Sequence, residues 1–143
     1  MSGATRIISS VIAMEDLGFL LGSKLSAGVV VLLSGELGSG KTALTRGIGR
    51  SLGIKDVTSP TFVISKIYPG RIPLVHVDAY RLIGQELAVF DDLDLELRIP
   101  QSVTVIEWGS GFVERLSDTF IEIDIEFGNS PDERVVTIKG IEL

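Results

Sequence analysis

The chain has no cysteine, a single histidine and a single tryptophan. Without cysteine there is neither a disulfide framework nor a thiolate metal site, which suits a reducing compartment. One histidine excludes a histidine-rich metal centre. No apolar stretch approaches the roughly 18 residues that span a bilayer. The first residues also lack the basic start and continuous apolar core of a signal peptide. The expectation is therefore a cytoplasmic protein with no membrane role. Positive charge is scarce as well: 13 Lys and Arg stand against 19 Asp and Glu, a net charge of -6. That balance argues against a broad electrostatic grip on nucleic acid, which needs several phosphate-neutralising cations. Any nucleic-acid role is expected to be carried out with a partner. What remains is an ordinary globular balance, 45% hydrophobic and 22% charged over 143 residues, which fits one domain over 1–143 with a single core.

Hydrophobic periodicity suggests a strand over 5–12 and an amphipathic helix over 13–25, closed near Gly28. Residues 29–34 form an apolar, β-branched run of the buried parallel type. Residues 42–52 carry Leu44, Ile48 and Leu52 at helical spacing and stop before Gly53. Val57-Thr58-Ser59-Pro60 reads as a turn, because proline restricts the residue before it and donates to no ladder. Strands over 61–68 and 72–79 flank Pro69-Gly70, a hairpin signal. Residues 85–98 are acidic with apolar residues at helical intervals. A strand over 103–107, a short helix over 112–116 and a final strand pair over 119–127 and 134–139 complete the chain. The pattern shows no repeat and no linker, and it implies a mixed parallel and antiparallel α/β sheet flanked by helices.

One short stretch cannot serve a core. Gly35-Glu36-Leu37-Gly38-Ser39-Gly40-Lys41-Thr42 fits G-x-x-x-x-G-K-[ST] and lies between a strand and a helix, as that motif requires. Its glycines permit backbone angles and close approaches that a Cβ would block. Successive N–H groups then turn inward around phosphate oxygens, aided by the positive end of the following helix. Lys41 is placed to reach the β- and γ-phosphates, and the Thr42 hydroxyl to bind Mg²⁺. The competing reading, a glycine-rich turn that binds nothing, has to ignore every specified position.

A phosphate cradle becomes a hydrolytic site only with a further carboxylate. Glu107 ends the apolar run Val103-Thr104-Val105-Ile106, where a strand next to the loop would emerge. The bland alternative is a solvated glutamate at a strand end. Asp78 closes Pro73-Leu74-Val75-His76-Val77 in the same way. It would either position the attacking water or complete the magnesium shell, or else be a turn aspartate. Positioning and charge stabilisation are what phosphoryl transfer asks of a protein. His76 alternates onto the same strand face as Asp78, and on that ground alone it is as readily a packed core residue as a catalyst.

These residues resemble the TsaE family, small P-loop ATPases needed for threonylcarbamoyladenosine modification of tRNA. The resemblance is carried by the glycine loop and then by Thr58-Ser59-Pro60-Thr61-Phe62. His76-Val77-Asp78-Ala79-Tyr80-Arg81-Leu82 and Ile106-Glu107-Trp108 follow in order. The loop is common to many NTPases, whereas the other three together are specific to the family. The resemblance implies a P-loop NTPase fold that binds ATP and magnesium, with Thr42 and Glu107 serving the metal and Asp78 in the hydrolytic site. It implies that Thr61, otherwise simply the first residue of a strand, lies near the γ-phosphate like a switch threonine, and that Arg134, otherwise an exposed arginine in a β-turn region, lies near the nucleotide. It also implies partners, the TsaD and TsaB proteins, with tRNA reached only through the complex. Two departures stand out. Residues 93–100 are shorter and less regular than the acidic helix usual there, and Gly109 follows Trp108 where family members often carry proline or a bulkier residue.

The runner-up is a small-molecule kinase, which would use the same loop and carboxylates. A kinase normally needs a substrate pocket and an arginine-bearing lid, and the chain has few residues to spare for one. A third reading is a nucleotide-gated binding module whose turnover waits for a partner.

Overall fold

The structure, a computed structural model, describes residues 4–36, 38–58, 65–78, 95–107 and 120–143. Its strands are β1 (Ala4–Ile8), β2 (Val30–Gly35), β3 (Ser65–Tyr68), β4 (Leu74–Asp78), β5 (Val103–Glu107), β6 (Ile121–Phe127) and β7 (Arg134–Lys139). They form one seven-stranded sheet in the order β1-β7-β6-β2-β5-β4-β3. The pairs β2–β5, β2–β6 and β4–β5 are parallel. The pairs β1–β7, β6–β7 and β3–β4 are antiparallel. The mixed sheet expected from the sequence is the one observed.

Strand burial follows the residue patterns. The continuous apolar runs of β4 and β5 are buried on both faces at the sheet centre, as are the first four residues of β2, the environment that such runs require. In β6 the alternation Ile-Glu-Ile-Asp-Ile sends Ile121, Ile123 and Ile125 inward while Asp124 is exposed. On one face of the sheet, Val31, Leu33, Val103, Val105, Ile121 and Ile123 join a single buried cluster with residues of two helices. Val30, Leu32, Val75, Val77 and Ile106 alternate to the other face and are buried there.

Two helices of the described residues cover the face of Val31 and Leu33, α1 (Val11–Gly22) and α2 (Lys41–Ser51). The sequence pattern had carried a strand through residue 12. Instead the chain turns at Ser10, whose extended backbone and hydroxyl, accepting from the Ala13 amide at 3.0 Å, cap α1. A serine N-cap outweighs the strand propensity of Val11 and Ile12, both of which are exposed. α1 also ends at Gly22 rather than Leu25. The helices meet through glycines. A Cβ on Gly47 would stand 1.9 Å from the Glu15 carbonyl oxygen, and one on Gly18 would stand 2.1 Å from that of Leu44. Across the same seam Arg46 Nε donates to Glu15 Oε1 at 2.9 Å.

Pro69-Gly70 joins β3 to β4 as the expected hairpin. A short helix, α3 (Leu95–Arg98), and a 3-10 turn (Ile99–Gln101) lead into β5. Within the described residues the first strand of the hairpin covers Ser65–Tyr68 and the second covers Leu74–Asp78, starting at 74 rather than 72, while residue 79 lies outside them. The expected helix over 112–116, most of that over 85–98, and residues 61–64 lie outside the described residues. Among the described residues, no helix is long and apolar enough to cross a membrane.

Candidate active site

Because β2, β4 and β5 run parallel, their carboxyl ends converge on one edge of the sheet. The chain leaves β2 at Gly35 and enters α2 at Lys41. Gly38 has φ +82° and Gly40 has φ +116°, left-handed conformations open to glycine at little cost. Gly40 serves as the N-cap of α2 and offers no side-chain hydrogen bond. The first amides of a helix lack intrahelical partners, and in α2 no N-cap side chain accepts from them. Its 11 residues supply the aligned dipole that favours an anion there. Gly35 is needed for a separate reason. A Cβ at that position would lie 2.5 Å from Ser39 Oγ and 2.9 Å from the Ile125 carbonyl oxygen. The loop folds flat against its own strand only without one.

Lys41 Nζ donates to the Gly35 carbonyl at 2.5 Å and lies 3.8 Å from Glu107 Oε1. The ammonium therefore arches back over the loop toward the strand ends. Its burial holds the Lys41 pKa below the ordinary lysine value, while the charges of Glu107 and Asp78 oppose that shift. The desolvation of the ammonium is the larger effect. Ser39 is buried, and its hydroxyl finds no partner among the described residues.

The structure brings the two candidate carboxylates together. Asp78 and Glu107 are direct register partners across the parallel β4–β5 pair, and Leu33 of β2 is the partner of Glu107 on its other side. Glu107 is mostly buried and Asp78 half-buried. Thr42, the second residue of α2, is half-buried.

The donor chemistry fits magnesium. Two strand-end carboxylates and a helix-start hydroxyl are hard oxygen ligands. Magnesium is usually held by one or two carboxylates and substrate phosphates, with water completing its shell. A cage of three or more acidic or imidazole ligands is not needed, and none occurs among the described residues.

Arg134, the first residue of β7, reaches the loop from the far side. Its Nε donates to the Ser39 carbonyl at 3.1 Å and its Nη2 to that of Gly38 at 3.3 Å. Nη1 bonds the Pro131 carbonyl at 2.7 Å, and the guanidinium lies 4.6 Å from the centre of the Phe127 ring. The arginine thus holds the loop backbone, a structural task that its sequence position did not disclose. Glu36 and Gly38 are exposed along the loop. Leu37, Thr61 and Trp108 lie outside the described residues.

Sequence reasoning left His76 undecided. The structure buries it fully and sets Nε2 against Glu107 Oε2. The available signal was its alternation with Asp78, which placed the ring on the site's face without naming its partner.

Comparison with known proteins shows a family and a fold. Residues 8–136 match the family described as threonylcarbamoyl adenosine biosynthesis protein TsaE. A Streptomyces coelicolor protein named tRNA threonylcarbamoyladenosine biosynthesis protein TsaE is 50% identical, with 90% of each chain covered. A Mycobacterium tuberculosis protein of the same name is 40% identical over 94% of this chain and 86% of its own. Among solved structures, Bacillus subtilis YdiB superposes with a TM-score of 0.77 at 29% identity, covering 99% of this chain and 87% of that one.

Proposed function

The chain belongs to the TsaE family, and on that premise we propose that it serves threonylcarbamoyladenosine modification of tRNA as a magnesium-dependent ATPase. Its intrinsic turnover is low and is raised by the TsaD and TsaB proteins. One observation carries the nucleotide half of this reading. Lys41 begins a helix whose N-terminus has no side-chain cap, and its ammonium faces Glu107 and Asp78 across the same loop.

The residues divide the work as follows. The loop amides from Gly35 to Lys41 bind phosphate oxygens, and Lys41 shifts from Glu107 toward the β- and γ-phosphates. Thr42 and Glu107 hold the magnesium, which, when bound, neutralises charge on the phosphates. Asp78 orients the attacking water or shares the metal shell. Arg134 keeps the loop carbonyls turned outward so that the amides face the nucleotide, and Thr61 belongs to the segment that senses the γ-phosphate. tRNA is reached through the partners, because a net charge of -6 argues against a broad electrostatic grip on nucleic acid. The cytoplasm, where tRNA is modified, is the place for this work.

The kinase reading is weaker, since a kinase normally needs a substrate pocket and an arginine-bearing lid, for which the chain has few residues to spare. The deciding experiment follows phosphate release and tRNA modification together, with the isolated chain and with TsaD and TsaB added. Slow release that the pair stimulates, and that Lys41→Ala abolishes, supports the proposal. Fast release by the isolated chain, or transfer of phosphate to a small molecule, would overturn it.

A further inference from the structure

The division of work above leaves His76 unused. Its ring lies on β4 two residues before Asp78, on the face that carries Glu107, and it is 0% exposed. His76 is the register partner of Val105, and Asp78 that of Glu107. The ring therefore reaches diagonally along the strand pair to the carboxylate. Nε2 meets Glu107 Oε2, and Nδ1 has no hydrogen-bond partner among the described residues. The other carboxylate oxygen, Oε1, is the one that faces Lys41 at 3.8 Å. The two oxygens of Glu107 are thus divided between an inner and an outer partner.

A polar ring buried among apolar neighbours is costly unless its hydrogen bonds repay it. An aliphatic side chain of similar volume would fill this place without that penalty. The bond to Glu107 is what the imidazole adds. A carboxylate only accepts, so Nε2 is the donor, a tautomer assigned from this contact.

We propose that His76 is a positioning residue for Glu107: its Nε2–H holds Oε2 and so reserves Oε1 for the metal bound with the nucleotide. The inference rests on the magnesium-dependent ATPase reading. It extends that site inward to a partner that orients a metal-binding carboxylate, an arrangement whose loss typically lowers metal affinity or activity 10–100-fold.

The test measures ATP affinity of the full chain by calorimetry, once in EDTA and once in magnesium. Manganese paramagnetic resonance of the nucleotide complex serves as a second metal readout. His76→Leu should leave the affinity in EDTA unchanged and reduce the magnesium-dependent gain about 10–100-fold. His76→Gln, whose amide carries a donor near the position of Nε2, should recover most of the gain. His76→Asn, whose amide stops short of Glu107, should not, and this pair keeps the test decisive if the leucine variant fails to fold. In a Glu107→Gln background, His76→Leu should have little further effect, because the two act as one unit. An equal loss with and without magnesium, no rescue by glutamine, or an undiminished effect in that background overturns the proposal. If Glu107→Gln removes the gain while His76→Leu does not, the positioning role alone is lost. If Glu107→Gln leaves the gain intact, the metal assignment of Glu107 falls and the positioning role falls with it.

Discussion

Asp78 and Glu107 stand side by side at the ends of adjacent parallel strands, register partners although 29 positions separate them in the chain. Two carboxylates so placed repel each other unless a cation lies between or beside them. The structure supplies one in Lys41, whose ammonium feels both charges. The same ammonium donates to the Gly35 carbonyl of the loop, so one cation serves both the carboxylates and the loop.

This arrangement separates binding from chemistry in the two acids. Asp78→Asn and Glu107→Gln each keep the side-chain shape and remove one negative charge. Turnover with the partners present should fall by at least about 10²-fold, while ATP affinity measured in EDTA changes by less than about 10-fold. Steady-state phosphate release and calorimetry, run on the same preparations, check this. Wild-type turnover in both variants would remove the pair from the site.

The pH dependence follows from Lys41. Its pKa is lowered in the folded chain, chiefly by burial, with Glu107 and then Asp78 pulling it back up. The charged form is the one that binds phosphate, so the Lys41 contribution to ATP affinity is present below its folded pKa. It is lost as pH rises through that value, which lies below the ordinary 10.5. For folding the sign is the reverse: between the lowered folded value and 10.5 the unfolded chain binds the extra proton, so stability rises with pH through that window. Glu107→Gln removes the main opposing charge, so the alkaline loss of ATP affinity should begin at a lower pH in that variant. Affinity measured across alkaline pH for wild type and Glu107→Gln decides it. Coincident curves would count against the coupling.

Arg134 gives a different kind of prediction, because its donors are spent on backbone. Three hydrogen bonds from different nitrogens, to the Ser39, Gly38 and Pro131 carbonyls, use the planar fork that lysine lacks. Arg134→Lys should therefore be nearly as damaging as Arg134→Ala. Both should weaken ATP binding by about 1.5–3 kcal/mol, the range for hydrogen bonds to charged groups. Calorimetry would show this, and full affinity in the lysine variant would mean that charge alone suffices.

Much of this site was legible in the sequence because its signals are local. The apolar run of β2, the glycine spacing and the carboxylates ending β4 and β5 each declare themselves within a few residues. The adjacency of Asp78 and Glu107 is not local, since it depends on β5 lying between β2 and β4 in the sheet. The hold of Arg134 on Ser39 spans 95 positions, and no periodicity reports such a contact. Val11 and Ile12 misled for a physical reason: they are β-branched and apolar yet exposed, so they imitate a strand end that the Ser10 cap overrides. Gly18 and Gly47 carry the clearest tertiary information. Within a helix each reads as a local weakness of about 1 kcal/mol against alanine, and only the crossing of α1 over α2 shows why each must be glycine.

That crossing yields the last prediction. Gly47→Ala improves helix propensity by about 1 kcal/mol, yet its methyl would meet the Glu15 carbonyl oxygen at 1.9 Å and the Phe19 amide nitrogen at 2.8 Å. Both are backbone atoms, so no rotamer change relieves the clash and the helices must move apart. Overpacking of this kind costs about 1–3 kcal/mol and sometimes more, so the clash wins. The thermal midpoint should fall by several degrees, at about 2–4 °C per kcal/mol for a chain of this size. The loss should not stop at stability. α2 carries Lys41 and Thr42 at its start, and Met14 of α1 lies against Gly40, its Cε 3.1 Å from where a Cβ would project. Displacing one helix from the other therefore disturbs the phosphate loop, and ATP affinity should drop along with the midpoint. Gly53→Ala is the control, because Gly53 also has a demanding backbone, φ +82°, but nothing within 4 Å of an added Cβ. It should lower the midpoint modestly and leave ATP affinity unchanged. Scanning calorimetry and ATP titration of both variants test the pair. An undiminished midpoint for Gly47→Ala would mean that the helices do not cross as closely as their glycines allow.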